Sequence, residues 1–421
     1  MSIELFAIIV LLMMFIIGSI LPINIGIMGF VAAFLVGSLI SGMSLDDIFA
    51  VFPADLFITL AGVTYLFSIV QNNGTIDLLT SWGLRLVRGN LGLMPWVMFA
   101  LSTLLASIGT LGPATVAIFA PVALGFAARY NISPLLMGIM VANGAVAGYY
   151  SPLNPVGVIV NGVMHSRDIP HSPGMLYVNG LIFTIVVSGI IFLLLGGLRL
   201  LRKQTSAQGY VASAIEESGP NRPESELTFH KAATLAGLIL LVVLALGFDL
   251  NIGFAAFTVG LLLALIAPKQ QTAALKLMPW SVILLITGIV TYVGVLEELG
   301  IIDYMTEQIA KVGNPVIAAL AASYVGGIVS SFASTVGFLA AIIPLAAPIL
   351  QDPAMSSIGV ISAIAIASGI VDLSPFSTSG ALLVANVKGM EERVFIKKLL
   401  IVTIGVVALG PGLAWLMFVL L

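Results

Sequence analysis

The sequence predicts an all-α polytopic membrane protein built from two inverted repeats, each of five transmembrane helices and one re-entrant helical hairpin. Three observations carry that prediction. First, 60% of the 421 residues are hydrophobic and 8% charged, with a mean hydropathy of +1.16, whereas a soluble domain carries about a quarter charged residues. Second, the apolar residues fall into stretches that reach the ~20 residues needed to span a bilayer. Third, the chain matches itself in two gapless registers. The composition also excludes functions. A net charge of −3 offers no basic face for a polyphosphate, so no nucleic-acid partner is expected. The absence of Cys and the presence of only three His (His165, His171 and His230, read as loop or linker residues) remove disulfides, thiolate metal sites and most imidazole chemistry.

Cutting the chain at charges and at Pro, Gly and Asn clusters gives full spans at 3–21, 24–42, 54–71, 133–164, 175–198, 231–248, 252–268, 279–296, 356–387 and 394–420. The first follows MSIELF, an acidic start with no basic n-region, and reads as a retained helix, not a cleaved signal peptide. Stretches 93–129 and 314–350 are each too long for one span and are interrupted by SIGTLGPAT and SSFASTVGF, so each reads as a re-entrant hairpin. Lys and Arg collect on the cytoplasmic side of membrane proteins. With ten spans and two hairpins, every Lys and Arg except Arg167 and Lys311 falls on one side. Both termini are therefore expected outside an inner (cytoplasmic) membrane, with the first hairpin opening to the cytoplasm and the second to the exterior. The polar segment 200–230 becomes a cytoplasmic linker whose composition predicts poor order.

The first register, an offset of 226, aligns 52–80 with 278–306 and pairs Gly62 with Gly288, Asp77 with Asp303 and Thr80 with Thr306. The second, an offset of 223, pairs Ser107 with Ser330, Pro121 with Pro344, Ser151 with Ser374, Pro152 with Pro375 and Gly157 with Gly380. The units are 1–199 and 231–421. Each crosses the bilayer an odd number of times, so the copies are expected upside down relative to each other, the architecture of secondary transporters with sites at the repeat interface. Amphipathic stretches 75–90 and 301–312 fit helices in the interface plane, or solvated loop helices.

Chemistry is expected at four paired places: the hairpin tips 107–115 and 330–338, and the mid-span breaks 147–158 and 371–382. Ser-Pro and Asn-Pro there disfavour helix and remove a backbone donor, and broken backbone at membrane depth must be buried in protein or line a polar cavity. Each break supplies a helix N-terminus worth about half a positive charge, suited to a small anion. Freed carbonyls and hydroxyls beside it suit Na+. Ser330, Ser334 and Thr335 read as caps of the second return helix or as ligand contacts. Ser107 and Thr110 stand in the first tip, where Gly109, Gly112 and Pro113 leave contacts mainly to backbone. Ser151, Asn154, Ser377, Thr378 and Ser379 sit at the breaks, although hydroxyls in membrane helices also bond back to the preceding turn. Asp372, a carboxylate deep in a span, reads as a Na+ ligand, a proton carrier, or an acid paired with backbone N–H groups. Asp55 reads as an N-terminal helix acid, and Tyr149 and Tyr150 as cavity or packing residues. No Lys or Arg falls at the midplane, so an anionic cargo would need a co-bound cation.

Paired tips and Pro-containing breaks in two halves resemble the divalent anion/Na+ symporter family and the wider ion transporter superfamily. The first 160 residues are similar to the MatC malonate/dicarboxylate carrier family at LPINIG (21–26), FLVGSL (34–39), FPADLFITLAGVTYLF (52–67), GFAARYNISPLLMGIMV (125–141) and IVNGV (159–163). The resemblance implies malonate or another C3/C4 dicarboxylate as cargo, Na+ as coupling ion with no other cofactor, a homodimer, and an elevator in which hairpins and spans 4, 5, 9 and 10 move past a scaffold of spans 1–3 and 6–8. It implies substrate contacts from Gly109, Thr110, Gly112, Ser151, Asn154, Ser334, Thr335, Ser377, Thr378 and Ser379. The implied cation ligands are Ser107, Thr110, Ser151, Ser330, Ala333, Thr335, Asp372 and Ser374. The family's Ser-Asn-Thr tips are partly kept as Ser334-Thr335-Val336, with Leu111-Gly112-Pro113 at the matching place. H+-coupled symport through Asp372 and dicarboxylate exchange are alternatives. A channel or the membrane subunit of a binding-protein-dependent transporter is less favoured, since no continuous polar stripe is found. No nucleophile with a nearby base is placed in the core, so no enzyme is expected.

Overall fold

A computed structural model describes residues 3–21, 23–75, 78, 92–202, 227–244, 248, 250–301, 304, 314–331 and 335–420. Most of the two amphipathic stretches, most of the 200–230 segment, and Ala333 and Ser334 lie outside the described residues. The described chain is helical throughout: a multi-pass membrane protein. Among the described residues six helical segments are long and apolar enough to cross a bilayer: Ala54–Asn72, Gly112–Arg129, Pro173–Leu194, Trp280–Glu298, Ser357–Ala385 and Glu392–Leu420. The other apolar helices are shorter, because Pro, Gly and capping residues divide them.

The helices of the first half are α1 (Ile3–Ile20), α2 (Ile25–Ala32), α3 (Leu45–Ala50), α4 (Ala54–Asn72), α5 (Met94–Ser107), α6 (Gly112–Arg129), α7 (Pro134–Gly148), α8 (Pro155–His165), α9 (Pro173–Leu194) and α10 (Gly197–Arg202). Those of the second half are α11 (Phe229–Val242), α12 (Ile252–Ile266), α13 (Pro268–Leu277), α14 (Trp280–Glu298), α15 (Pro315–Ser330), α16 (Thr335–Leu345), α17 (Ala347–Leu350), α18 (Ser357–Gly369), a 3-10 turn (Ile370–Leu373), α19 (Thr378–Ala385) and α20 (Glu392–Trp415). The expected uniform span at 24–42 changes character at Ala33, where a π-helix runs to Ile40. Val36 carbonyl receives both the backbone N–H and the hydroxyl of Ser41, and this wide i→i−5 closure holds the π turn. His165 and His230 lie within the end turns of helices, not in loops, because the capping residues Ser166 and Thr228 stand just outside them.

Packing between the halves is reciprocal. Helix α4 packs on α12 while α14 packs on α2; α6 packs on α19 while α16 packs on α8. The first two contacts are backbone-close. A Cβ on Gly62 would lie 2.2 Å from the Gly253 carbonyl oxygen, and one on Gly29 would lie 2.5 Å from that of Gly288. Small residues permit such approach where lipid supplies no hydrophobic drive between helices. An Asn-Ile-Gly triplet starts both α2 and α12. Asn24 accepts the Gly26 N–H at 2.9 Å and donates to the Ser281 carbonyl at 2.7 Å. Asn251 likewise accepts the Gly253 N–H at 2.9 Å and donates to the Asp55 carboxylate at 2.7 Å. Each Asn thus caps its own helix and fastens it to the start of the helix it packs on. Helices α7 and α18, largely apolar and buried along nearly their whole length, are the most enclosed elements. Helix α5 packs on α7 and α15 on α18.

Candidate functional site

The two breaks fold alike. After α7, the Ser151 hydroxyl accepts the Leu153 N–H at 3.2 Å, and Asn154 caps α8 by accepting the Val156 N–H at 3.0 Å. After the 3-10 turn, the Ser374 hydroxyl accepts the Phe376 N–H at 3.3 Å, and Ser377 caps α19 by accepting the Gly380 N–H at 3.1 Å. Both turns press against a glycine. A Cβ on Gly157 would lie 2.1 Å from the Ser151 carbonyl oxygen, and one on Gly380 would lie 1.8 Å from that of Ser374.

The first break holds the first tip. Ser151 donates to the Ser107 carbonyl at 2.6 Å, and the Asn154 amide donates to the carbonyls of Ala106 (2.8 Å) and Thr110 (3.0 Å). Ser107 itself shares a hydrogen bond of 2.8 Å with the Tyr177 hydroxyl. Gly109 turns the chain at φ +114°, and a Cβ there would meet the Phe67 ring at 2.2 Å, so this tip seats on α4. Helix α6 then begins at Gly112 without any side-chain cap. In the second half, α16 begins at Thr335, whose hydroxyl donates to the Ser368 carbonyl at 3.3 Å.

These segments converge on a cavity of about 290 Å³. Leu111, Gly112 and Pro113 reach it from the first tip, and Thr335 and Val336 from the second. Tyr149 and Val156 flank the first break; Asp372, Phe376, Ser377 and Thr378 come from the second. The remaining wall, Gly18, Ile23, Ile25 and Leu285, belongs to α1, α2, α14 and the turn between α1 and α2. Tyr149 donates its hydroxyl to the Asp372 carboxylate. The same hydroxyl lies over the open start of α6, since a Cβ on Gly112 would come within 1.9 Å of it. Ser377 donates to the Asp372 carbonyl and, at 2.8 Å, to that of Ser374.

Of the residues singled out in the sequence, Gly112, Pro113, Tyr149, Thr335, Asp372, Ser377 and Thr378 border the cavity. Gly109, Thr110, Ser107, Ser151, Asn154 and Ser374 lie behind it and are engaged in the turns just described. Ser330 and Ser379 are buried; the Ser330 hydroxyl has no hydrogen-bond partner among the described residues, and Ser379 stands beside the Tyr149 hydroxyl. Tyr150 does not reach the cavity: it is fully buried and donates to the Ala365 carbonyl at 2.8 Å. Asp55 is the acceptor of Asn251 described above, remote from the cavity lining. The apolar wall from α1, α2 and α14 was not anticipated, because those residues carry no polar group that marks them in the sequence. Among the described residues no group of three or more His, Cys, Asp or Glu stands ready to hold a metal ion, and no Lys, Arg or His lines the cavity. Among the described residues the site therefore presents helix starts, hydroxyls and one carboxylate beside an apolar wall.

Residues 1–149 match the family model described as dicarboxylate carrier protein MatC N-terminus. No curated protein sequence matches the chain significantly. Among solved structures the chain is similar to the YdaH transporter of Alcanivorax borkumensis, whose description notes an unusual topology. The TM-score is 0.59 at 12% identity, over 88% of this chain and 86% of that one. Over residues 1–149 the chain is thus similar to the N-terminal domain of the MatC dicarboxylate carriers, within a multi-span fold like that of the YdaH transporter.

Proposed function

We propose that the protein is a secondary active transporter that imports a small dicarboxylate, malonate or a C4 homologue, by Na+-coupled symport. The observation that carries this reading is the meeting of both tips and both breaks at one cavity, which no Lys, Arg or His lines among the described residues. A carboxylate seated there would be held by the uncapped start of α6, the start of α16 and the hydroxyl of Thr378. Asp372 opposes it: an anion sharing the cavity with this carboxylate requires a compensating positive charge. Carbonyl and hydroxyl oxygens suit an alkali cation, and the buried Ser330 hydroxyl, which has no hydrogen-bond partner among the described residues, is one available oxygen. The N-terminal match to a dicarboxylate carrier supports the substrate class.

The two units, 1–199 and 231–421, are proposed as inverted repeats of five spans and one re-entrant hairpin each, with both termini outside. The reciprocal packing of α4 on α12 against α14 on α2 supports this pairing. An elevator then follows: α1–α4 and α11–α14 form the scaffold, and the tips and breaks travel with α5–α9 and α15–α20, in a homodimer. A second reading is proton coupling through Asp372, favoured by its being the carboxylate that lines the cavity among the described residues.

The deciding experiment is uptake of labelled malonate and succinate into proteoliposomes with Na+ and pH gradients imposed independently. The Na+ reading requires uptake driven by a Na+ gradient at symmetric pH. Uptake driven by a pH gradient without Na+ replaces it with proton coupling, and no gradient-driven uptake of either acid overturns the substrate class.

A further inference from the structure

The 3-10 turn that brings Asp372 to the candidate site also brings Ile370 to another concavity. Helices α9 and α18 pack together, as do α18 and α20, and between α9 and α20 there remains a cavity of about 280 Å³. Its walls are apolar: Ile190 and Leu194 from α9, Val402, Gly405 and Leu409 from α20, with Ile370 at the floor. Leu194 is 78% exposed and Leu409 74%, so the groove opens outward, which for two membrane-spanning helices is toward lipid. The groove is continuous at Leu194 and Leu195 with a second concavity that reaches Arg199. On the other wall, Lys398 stands one turn before Val402, on the stripe that continues through Gly405 and Leu409. Both cations are exposed, and neither makes an ion pair among the described residues. The sequence assigns both to the cytoplasmic side.

We propose that this groove binds one anionic phospholipid, an acyl chain lying between α9 and α20 and the phosphate held by Arg199 and Lys398. Basic groups at the ends of an intramembrane groove are the chemistry that recognises such headgroups, and the long apolar channel behind them fits a fatty chain better than a soluble solute. Ile370 opens the 3-10 turn that carries Asp372, so the chain would press on the element that forms the second break. The proposal does not depend on the cargo or its coupling ion.

The test is native mass spectrometry of the full-length protein with phosphatidylglycerol or phosphatidylcholine of identical acyl chains. One phosphatidylglycerol is expected to be retained about thirtyfold more tightly than phosphatidylcholine, the contribution of two cations near a membrane surface. Arg199→Gln with Lys398→Gln should remove that preference. Gly405→Leu fills the groove, and a Cβ at Gly405 meets nothing within 4 Å, so this variant should fold normally and retain neither lipid. Equal retention of the two lipids, or unaltered phosphatidylglycerol retention in either variant, overturns the proposal. So does a groove covered by a second copy, seen as loss of the dimer in Gly405→Leu with no lipid bound to the parent.

Discussion

Tyr149 and Asp372 hold the same place in the 223-residue register, and the hydroxyl of one donates to the carboxylate of the other across the cavity. Equivalent positions of the two halves have thus become donor and acceptor of a single bond. Because the Tyr149 hydroxyl also covers the open start of α6, this one contact joins the first tip, the first break and the second break. It fixes the direction of the carboxylate while leaving the hydroxyl of Thr378 at the cavity.

Tyr149→Phe keeps the ring packing and removes the donor. A hydrogen bond to a charged group contributes about 1.5–3 kcal/mol, so binding that depends on an aligned Asp372 should weaken about 10- to 150-fold. Substrate binding by scintillation proximity, with the melting temperature as control, checks this. Unaltered affinity in a folded variant would make the contact a packing feature only.

Asp372→Asn keeps the shape and removes the charge that opposes an anion. Cation-independent binding of the dicarboxylate should rise while concentrative uptake is lost, because the variant no longer couples the two. The comparison is equilibrium binding of malonate with and without Na+, alongside uptake in proteoliposomes. If gradient-driven uptake persists in Asp372→Asn, coupling resides elsewhere.

Asn154→Ala should act through the fold of the tip. Its amide donates to the buried carbonyls of Ala106 and Thr110 and its oxygen caps α8. Leaving such groups unpaired costs about 1–3 kcal/mol each, and loss of the cap adds about 1 kcal/mol. Reduced thermal stability in detergent should accompany reduced uptake, whereas Thr378→Ala, at an exposed position on the cavity, should lower uptake with stability unchanged.

Much of this was legible in the sequence where Pro, Gly and hydroxyls interrupt apolar runs. Ser151-Pro152 and Ser374-Pro375 mark turns whose hydrogen bonds coincide residue for residue. Less legible was the division of labour among polar groups. Ser151 and Asn154 carry the same functional groups as cavity residues, yet they spend them on carbonyls of the first tip, a long-range pairing that local pattern does not encode. The Asn-Ile-Gly starts of α2 and α12 were in plain view, but their meaning lies in the helix each one touches. Gly18, Ile23 and Leu285 form a wall by shape alone, and an apolar residue at a cavity is indistinguishable in sequence from one facing lipid.

The last prediction concerns relative movement. Arg167, in the turn after α8, pairs with Glu297 in the last turn of α14, and both side chains are largely enclosed, with 17% and 20% exposure. In the elevator proposal α8 travels and α14 stays, so this ion pair joins the two and must break in each cycle. The chain has no Cys, so Arg167→Cys with Glu297→Cys introduces the only thiols. Tying them with a short bifunctional maleimide should stop uptake, while each single variant treated with the same reagent continues to transport. A reducible linker in place of the maleimide should restore uptake when cleaved. Full transport by completely cross-linked protein would show that α8 and α14 do not separate, and the elevator would have to be replaced by local opening of the tips.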